Sequence, residues 1–211
     1  MAIDLTHFKM IEAANVTGRA LSAGYPDLLL HFPQAPVRKD SDKVAALHSV
    51  THPIADSHAV FKAMGLELEV IDRAKYQGCE LVVDLNINWE RIDSSDFRYF
   101  DLVIDPGTCE HCFNIPQALA NLADCVKVGG VISQALPMAM HNHGYWNVNP
   151  IALIDFYELN GFEMEDMAIR SSAGLYRGDM RRRLMGVPES SVFICNARRK
   201  EIKSFQWPQQ R

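Results

Sequence analysis

The feature that most constrains this chain is a short apolar run that stops at a polar turn. The run Leu102–Ile104 lies between two aspartates, and Pro106-Gly107 then breaks it. A continuous apolar segment of this length is typical of a strand buried on both faces of a parallel sheet. In open α/β sheets, ligands bind beyond the carboxyl ends of the strands. The segment 105–111 is therefore the first place to look for a functional site.

Length and charge limit the classes of protein to be considered. The 211 residues suffice for one compact domain, and we predict a single domain over residues 1–211. The net charge of -5 argues against a general nucleic-acid binder, which usually has a basic face. The short run Arg181–Arg183 is more typical of a solvated turn than of a site for an anionic partner.

Features of membrane and secreted proteins are missing from the sequence. No apolar stretch approaches the roughly 18 residues of a membrane helix, and the first residues do not resemble a signal peptide. Five cysteines, at positions 79, 109, 112, 125 and 195, are an odd number for a disulfide framework. We therefore interpret them as reduced thiols and predict a cytoplasmic protein.

Hydrophobic periodicity predicts strands that alternate with helices. The predicted strands cover residues 19–24, 66–72, 80–86, 100–105, 131–136, 162–169 and 190–198. The predicted helices cover an N-terminal segment within 1–15, then 27–30, 55–64, 114–126 and 150–159. The segment 31–53 is a candidate lid loop, because it is long for a compact domain. This order predicts an α/β, doubly wound sheet, with an antiparallel pair where the last two strands follow each other directly.

Three motifs in the central third of the chain support a resemblance to a known family. They are Phe-Asp-Leu-Val-Ile-Asp-Pro-Gly-Thr-Cys-Glu-His at 100–111, Lys-Val-Gly-Gly at 127–130 and Asn-Gly-Phe at 160–162. Together they resemble the class I S-adenosylmethionine-dependent methyltransferases, over residues 15–198. The resemblance implies a Rossmann-like, seven-stranded, mostly parallel sheet with an antiparallel last strand. It also implies S-adenosylmethionine as cofactor and methyl transfer to a small-molecule oxygen or nitrogen acceptor.

The resemblance also implies a set of cofactor contacts. The glycine-rich first motif of the family is divergent here, since Ala23-Gly24-Tyr25-Pro26 has one glycine. Gly24 corresponds to the turn beside the cofactor's methionine end, and Asp72 to the acid that binds the ribose hydroxyls. Aspartate and asparagine at strand ends also form turns, which is the structural alternative for such residues. The other implied cofactor contacts are Asp84, Leu85, Asn86, Asp105 and Gly107.

Histidines and aromatic residues follow the fourth and fifth predicted strands. A histidine can take a proton from an acceptor near neutral pH, so His111, His141 and His143 are the predicted catalytic bases. Tyr145 and Trp146 are predicted to form an aromatic wall for the acceptor.

Two alternative functions stay open. The divergent first motif fits a catalytically inactive, methyltransferase-like binding or scaffold protein. The histidines, with Asp105, also fit a metal-assisted enzyme. We predict no metal, because the pair Cys109 and Cys112 lacks the second pair of ligands that a structural zinc site needs. The expected partner is a small-molecule acceptor, with no nucleic acid and no membrane, and a homo-oligomer is allowed. Fold alone does not decide among these functions.

Overall fold

The computed structural model describes residues 2–77, 80–89, 99–184 and 186–209. Its strands are β1 (Ala2–Ile3), β2 (Gly18–Ala23), β3 (Asp27–Leu28), β4 (Leu66–Asp72), β5 (Leu81–Val82), β6 (Phe100–Asp105), β7 (Val126–Pro137), β8 (Phe162–Ser171), β9 (Gly174–Tyr176) and β10 (Val192–Arg199). Its helices are α1 (Leu5–Ala13), α2 (Ser41–Leu47), α3 (Ser57–Ala63), α4 (Ile115–Cys125) and α5 (Pro150–Leu159), with a 3₁₀ turn at Cys109–His111. None of the described helices is long and apolar enough to span a membrane.

The main sheet has the strand order β5-β4-β2-β6-β7-β10-β8-β9. The first five strands in this order are parallel, and β10 runs antiparallel to both β7 and β8. This arrangement confirms the predicted Rossmann-like sheet with an antiparallel last strand. The sheet has eight strands in the described residues, not seven. The reason is that β8 extends to Ser171 and the chain turns back so that β9 pairs with it.

Side-chain alternation along β6 explains why both faces of the sheet are covered. Leu102 and Ile104 join the buried cluster formed with α1 and α3, whereas Val103 joins the cluster formed with α4 and α5. All three side chains have no exposed surface. A parallel strand that is apolar on both faces requires a helical layer on each side, and the chain provides both.

One predicted element was wrong, and another is shorter than predicted. Residues 27–30 do not form a helix: Asp27 and Leu28 pair in parallel with Ala2 and Ile3, and the Leu29 amide donates to the Ile3 carbonyl at 2.9 Å. The strand predicted at 80–86 is present as β5 but covers only Leu81–Val82, because the chain turns at 84–86 instead of continuing as a strand.

The segment 31–53 contains a helix, α2, instead of being a loop throughout. It is also fastened to other parts of the fold. Val37 forms a bridge with Ala55, and the Gln77 side-chain amide after β4 donates to the Asp40 carboxylate at 2.9 Å. Whether this segment acts as a lid stays a prediction.

The Lys-Val-Gly-Gly motif forms an excursion between two paired parts of β7. Phe100 pairs with Val126 and Leu102 pairs with Val131, so four residues of β7 bulge out opposite one residue of β6. A Cβ atom on Gly130 would lie 2.8 Å from the Phe100 carbonyl oxygen and 3.0 Å from that of Asp101. Only glycine allows the two backbones to approach so closely.

We expect Gly130→Ala to lower the free energy of unfolding by about 2–3 kcal/mol, since the carbonyl groups of β6 are fixed by their own pairing. Gly129→Ala is the matched control. Gly129 has φ +85° but no neighbour within 4 Å of an added Cβ, so its cost is the roughly 1 kcal/mol of a left-handed conformation. Urea unfolding of both variants measures the difference. Equal losses would contradict a steric role for Gly130.

Candidate functional site

A buried aspartate shapes the turn at the carboxyl end of β6. The Asp105 carboxylate accepts hydrogen bonds from the Thr108 amide at 2.7 Å and, through its other oxygen, from the Gln134 side-chain amide at 2.9 Å. The Tyr157 hydroxyl donates in turn to the Gln134 side-chain oxygen. Burial raises the pKa of Asp105. The carboxylate thus faces protein groups, and its predicted contact with a cofactor stays a prediction.

The 3₁₀ turn that follows brings three side chains together, which we term the Glu110 cluster: Glu110, His111 and His143. Glu110 Oε1 lies 3.8 Å from His111 Nε2 and 3.6 Å from His143 Nε2. The Glu110 side chain is 1% exposed, and its Oε2 has no hydrogen-bond partner among the described residues. Two of the three predicted bases therefore meet at one carboxylate. His141 is exposed and lies outside this cluster.

The protonation of the Glu110 cluster is set mainly by burial. Burial, followed by the negative charge of Asp105, raises the pKa of Glu110 to about 8. Burial, followed by the neighbouring His143, lowers the pKa of His111. Glu110 therefore favours the neutral carboxyl and His111 the neutral imidazole when nothing else binds to them.

Two glycines make room for the cluster. A Cβ atom on Gly107 would lie 2.9 Å from Glu110 Oε1, and one on Gly144 would lie 2.9 Å from Glu110 Cγ and from the Glu110 carbonyl oxygen. The same carbonyl accepts the Tyr145 amide at 2.9 Å. These contacts hold the loop after β7 against the 3₁₀ turn, and they bring His143 to Glu110.

The cluster faces a cavity of ≈ 270 Å³ beyond the carboxyl ends of β6 and β7. The N-terminal segment closes the opposite side, where Asp4 and Arg170 form an ion pair. The polar residues that line the cavity are Asp4, His7, His48, Glu110, His111, His143 and Arg170. The other lining residues are apolar or glycine, and a concave space with a few convergent polar groups among apolar residues can receive a small molecule.

His7 is a cavity residue that the sequence did not reveal as part of a site. Its Nε2 lies 3.0 Å from the Ser133 hydroxyl, and its Nδ1 is buried without a hydrogen-bond partner in the described structure. Burial lowers the pKa of His7 to about 4. The sequence carried one signal for it: His7 occurs among the regularly spaced apolar residues of the first helix.

Asp72, the predicted ribose-binding acid, has an unused acceptor at the end of β4. Its Oδ1 accepts the Ala74 amide at 3.4 Å, but its Oδ2 is buried and has no hydrogen-bond partner in the described residues. The neighbouring turn at Gly24 has φ +80°, and its amide donates to the Ile71 carbonyl at 2.7 Å. The Tyr25 ring is buried in the core beside α3, so this bulky residue does not stand exposed at the turn.

Asp84, Leu85 and Asn86 take part in a turn that binds the loop to α4. Asp84 Oδ1 accepts the amide and the side-chain amide of Asn86, both at 2.8 Å, and these bonds lower the pKa of Asp84. Leu85 is buried, and its carbonyl accepts the Asn121 side-chain amide at 3.0 Å. Their predicted contacts with adenine stay predictions.

The two aromatic residues predicted to bind the acceptor lie on the outer side of the Glu110 turn. Tyr145 is 68% exposed and Trp146 40% exposed. Both rings pack against Phe113, with centroid separations of 5.6 and 6.2 Å. The Trp146 indole donates to the Cys112 carbonyl at 3.1 Å. Neither ring lines the cavity, and their contact with an acceptor stays a prediction.

Comparison with solved structures identifies the fold. A TehB-like SAM-dependent methyltransferase from Corynebacterium glutamicum is 15% identical and has a TM-score of 0.50, with 92% of this chain and 87% of that chain covered. The 1,6-didemethyltoxoflavin-N1-methyltransferase of Burkholderia thailandensis, solved with S-adenosylhomocysteine, is 12% identical with a TM-score of 0.53, covering 93% and 78%. A putative methyltransferase from Bacillus halodurans is 13% identical with a TM-score of 0.52, covering 92% and 99%.

The sequence itself matches neither a protein-family model nor a curated protein. At identities this low, the structural matches show the fold alone. The chain therefore has the class I methyltransferase fold, as its motifs predicted.

We expect His7 to make the free energy of unfolding depend on pH. Its pKa is near 6.5 in the unfolded chain and about 4 in the folded protein. Between these values the unfolded chain binds more protons, so stability is present above pH 6.5 and is lost as the pH falls toward 4. The loss should reach up to about 3 kcal/mol.

Urea unfolding at pH 7 and pH 4.5 tests this expectation. The His7→Gln variant, which cannot titrate, should lose less stability between the two pH values than the unmodified protein. His141→Gln, at an exposed position, is the control and should follow the unmodified protein. The same pH dependence in His7→Gln and in the unmodified protein would refute a role for His7.

Proposed function

We propose that the protein binds S-adenosylmethionine and transfers its methyl group to a small-molecule oxygen or nitrogen acceptor. The observation that carries the proposal is the buried Asp72 Oδ2 at the end of β4, which has no hydrogen-bond partner among the residues that the structure describes. In the strand order of this sheet, β4 lies beside β2, which in turn lies beside β6, and α/β folds bind their ligands beyond the carboxyl ends of such strands. The S-adenosylhomocysteine bound to the Burkholderia structure of the same fold supports the choice of ligand.

The chain's own groups fit the cofactor. A buried carboxylate oxygen without a donor is costly unless a ligand supplies one, and vicinal ribose hydroxyls are suitable donors. The single glycine at the β2 turn suffices sterically, since the Tyr25 side chain is packed away in the core. Gly24, Asp72 and the 84–86 turn would hold the methionine, ribose and adenine parts respectively.

The cavity beside the Glu110 cluster would receive the acceptor. When bound, the cofactor would supply an electrophilic methyl group on a sulfonium, with a neutral thioether as the leaving group for attack by the acceptor's lone pair. The protein's part is to align the acceptor and to manage its proton. His111 and His143 line the cavity and would take part in that proton's removal. A volume of ≈ 270 Å³ and a net charge of -5 both support a small molecule rather than a nucleic acid.

A second candidate is a catalytically inactive binding protein of the same fold. The observation that favours it is the Ala23-Gly24-Tyr25-Pro26 turn, which has one glycine where methyltransferases have several. Cofactor binding without turnover on any acceptor would support it over methyl transfer.

We expect S-adenosylmethionine and S-adenosylhomocysteine to raise the melting temperature of the protein. A ligand at about 100 times its Kd adds about 2.7 kcal/mol, which is a shift of a few degrees for a chain of this size. Asp72→Asn keeps the shape of the side chain but removes the carboxylate. The Kd of this variant for both ligands should therefore rise at least about tenfold, the equivalent of about 1.4 kcal/mol.

Glu67→Gln is the matched control, because Glu67 lies exposed on the same strand away from its carboxyl end. It should bind both ligands like the unmodified protein. Calorimetric titration of the three proteins gives the Kd values. No binding of either ligand to the unmodified protein would rule the proposal out.

A further inference from the structure

We propose that the Glu110 cluster binds a divalent transition-metal ion, with Glu110, His111 and His143 as its protein ligands. One ligand atom from each of these residues lies within 4.8 Å of the other two. The separations from Glu110 Oε1 to the Nε2 atoms of His143 and His111 are 3.6 and 3.8 Å. Donors in a tetrahedral zinc site are about 3.3 Å apart, since each metal–ligand bond is about 2.0–2.1 Å long. Small side-chain rotations would therefore complete the site.

The buried carboxylate supplies a second, independent observation. Glu110 is 1% exposed, and its Oε2 has no hydrogen-bond partner among the residues that the structure describes. Gly107 and Gly144 leave the space in which this carboxylate sits, and added Cβ atoms would press on it. A buried carboxyl group that lies next to two imidazoles, with one oxygen lacking a hydrogen-bond partner in the described structure, is satisfied when it coordinates a cation.

The donor set indicates which ions would bind. Two imidazoles and one carboxylate suit Zn²⁺ and other borderline divalent ions better than Mg²⁺ or Ca²⁺, which prefer oxygen ligands. Two other possible ligands near the cluster, Asp105 and Cys109, are less suited to binding the ion. The Asp105 oxygens accept hydrogen bonds from Thr108 and Gln134. The Cys109 thiol is fully buried and does not belong to the group of converging ligand atoms in the described structure.

Three protein ligands leave at least one coordination position open, which is the pattern of catalytic rather than structural zinc sites. His111, His143 and Glu110 all line the cavity, so the open position would face its interior. An acceptor that coordinates the ion through a hydroxyl would lose its proton to water more readily, because the ion stabilises the resulting anion. With their ring nitrogens on the ion, His111 and His143 would promote this loss through the metal and would not accept the proton themselves. This last step rests on the proposed methyl transfer and narrows the acceptor to molecules with a metal-ligating hydroxyl. Metal binding itself does not depend on methyl transfer.

Zinc binding to chelator-treated protein, measured by calorimetry and by competition with a zinc dye, tests the proposal. We expect one equivalent with a Kd in the micromolar range or tighter. His143→Ala and Glu110→Gln should each weaken binding at least tenfold. His141→Ala, in the same loop but outside the cluster, should leave the Kd unchanged.

Two further measurements separate the outcomes. His52→Ala removes one ring of the His31–His52 pair, whose centroids are 5.3 Å apart, and it tests for adventitious surface binding. Melting curves of the metal-free variants establish that each is folded. The proposal is overturned if zinc does not bind in stoichiometric amount, if His141→Ala or His52→Ala weakens binding as much as His143→Ala, or if folded His143→Ala binds normally. Such a result would not count against S-adenosylmethionine binding, which is measured in a separate experiment.

Discussion

The fully buried Asp105 carboxylate is the interaction on which the site depends. It accepts hydrogen bonds from the Thr108 amide and the Gln134 side chain, and so joins the end of β6 to the carboxyl-terminal part of β7. Gln134 is in turn held by Tyr157 of α5. The Thr108 hydroxyl donates to the Ala23 carbonyl and so adds the end of β2. The carboxyl ends of three neighbouring strands are thereby fixed to one another, and Glu110 and His111 leave this junction in defined directions.

The N-terminal segment forms one wall of the cavity at the carboxyl ends of the strands. Ala2 and Ile3 pair with residues 27 and 28, and the Ala2 amide donates to the Pro106 carbonyl at 3.2 Å. α1 then packs across β7 and β10, with its His7 side chain against Ser133. These contacts place the N-terminal segment opposite the Glu110 cluster and so form the cavity between them. The sheet alone would not form it.

The sheet could be predicted from the sequence because its signals are local and strong. Continuous apolar runs mark β6 and β10, and α5 begins and ends where Pro150 and Asn160 predict. The error at residues 27–30 has a non-local cause, since β3 forms only by pairing with β1. β9 forms by pairing with the end of β8, and its three residues have no apolar pattern of their own.

The site could be predicted only in part. The sequence placed His111 and His143 at the same sheet edge, but it grouped them with His141 and with Asp105 instead of Glu110. Burial decides this difference, because Glu110 lies inside the turn whereas His141 is exposed. The steric fit of Gly107 and Gly144 around the carboxylate depends on backbone positions that no spacing pattern encodes.

Glu110 contributes to the fold through its backbone and to the candidate site through its side chain. Its carbonyl oxygen accepts the amides of Tyr145 and Trp146 and so holds the loop after β7, while its carboxylate faces the cavity. A substitution at this position changes the reactive group but leaves the loop attached, because the backbone bonds do not depend on the side chain. A single substitution can thus add or remove the reactive group in this fold. Proteins that share this loop can therefore diverge in activity through variants that all keep the fold.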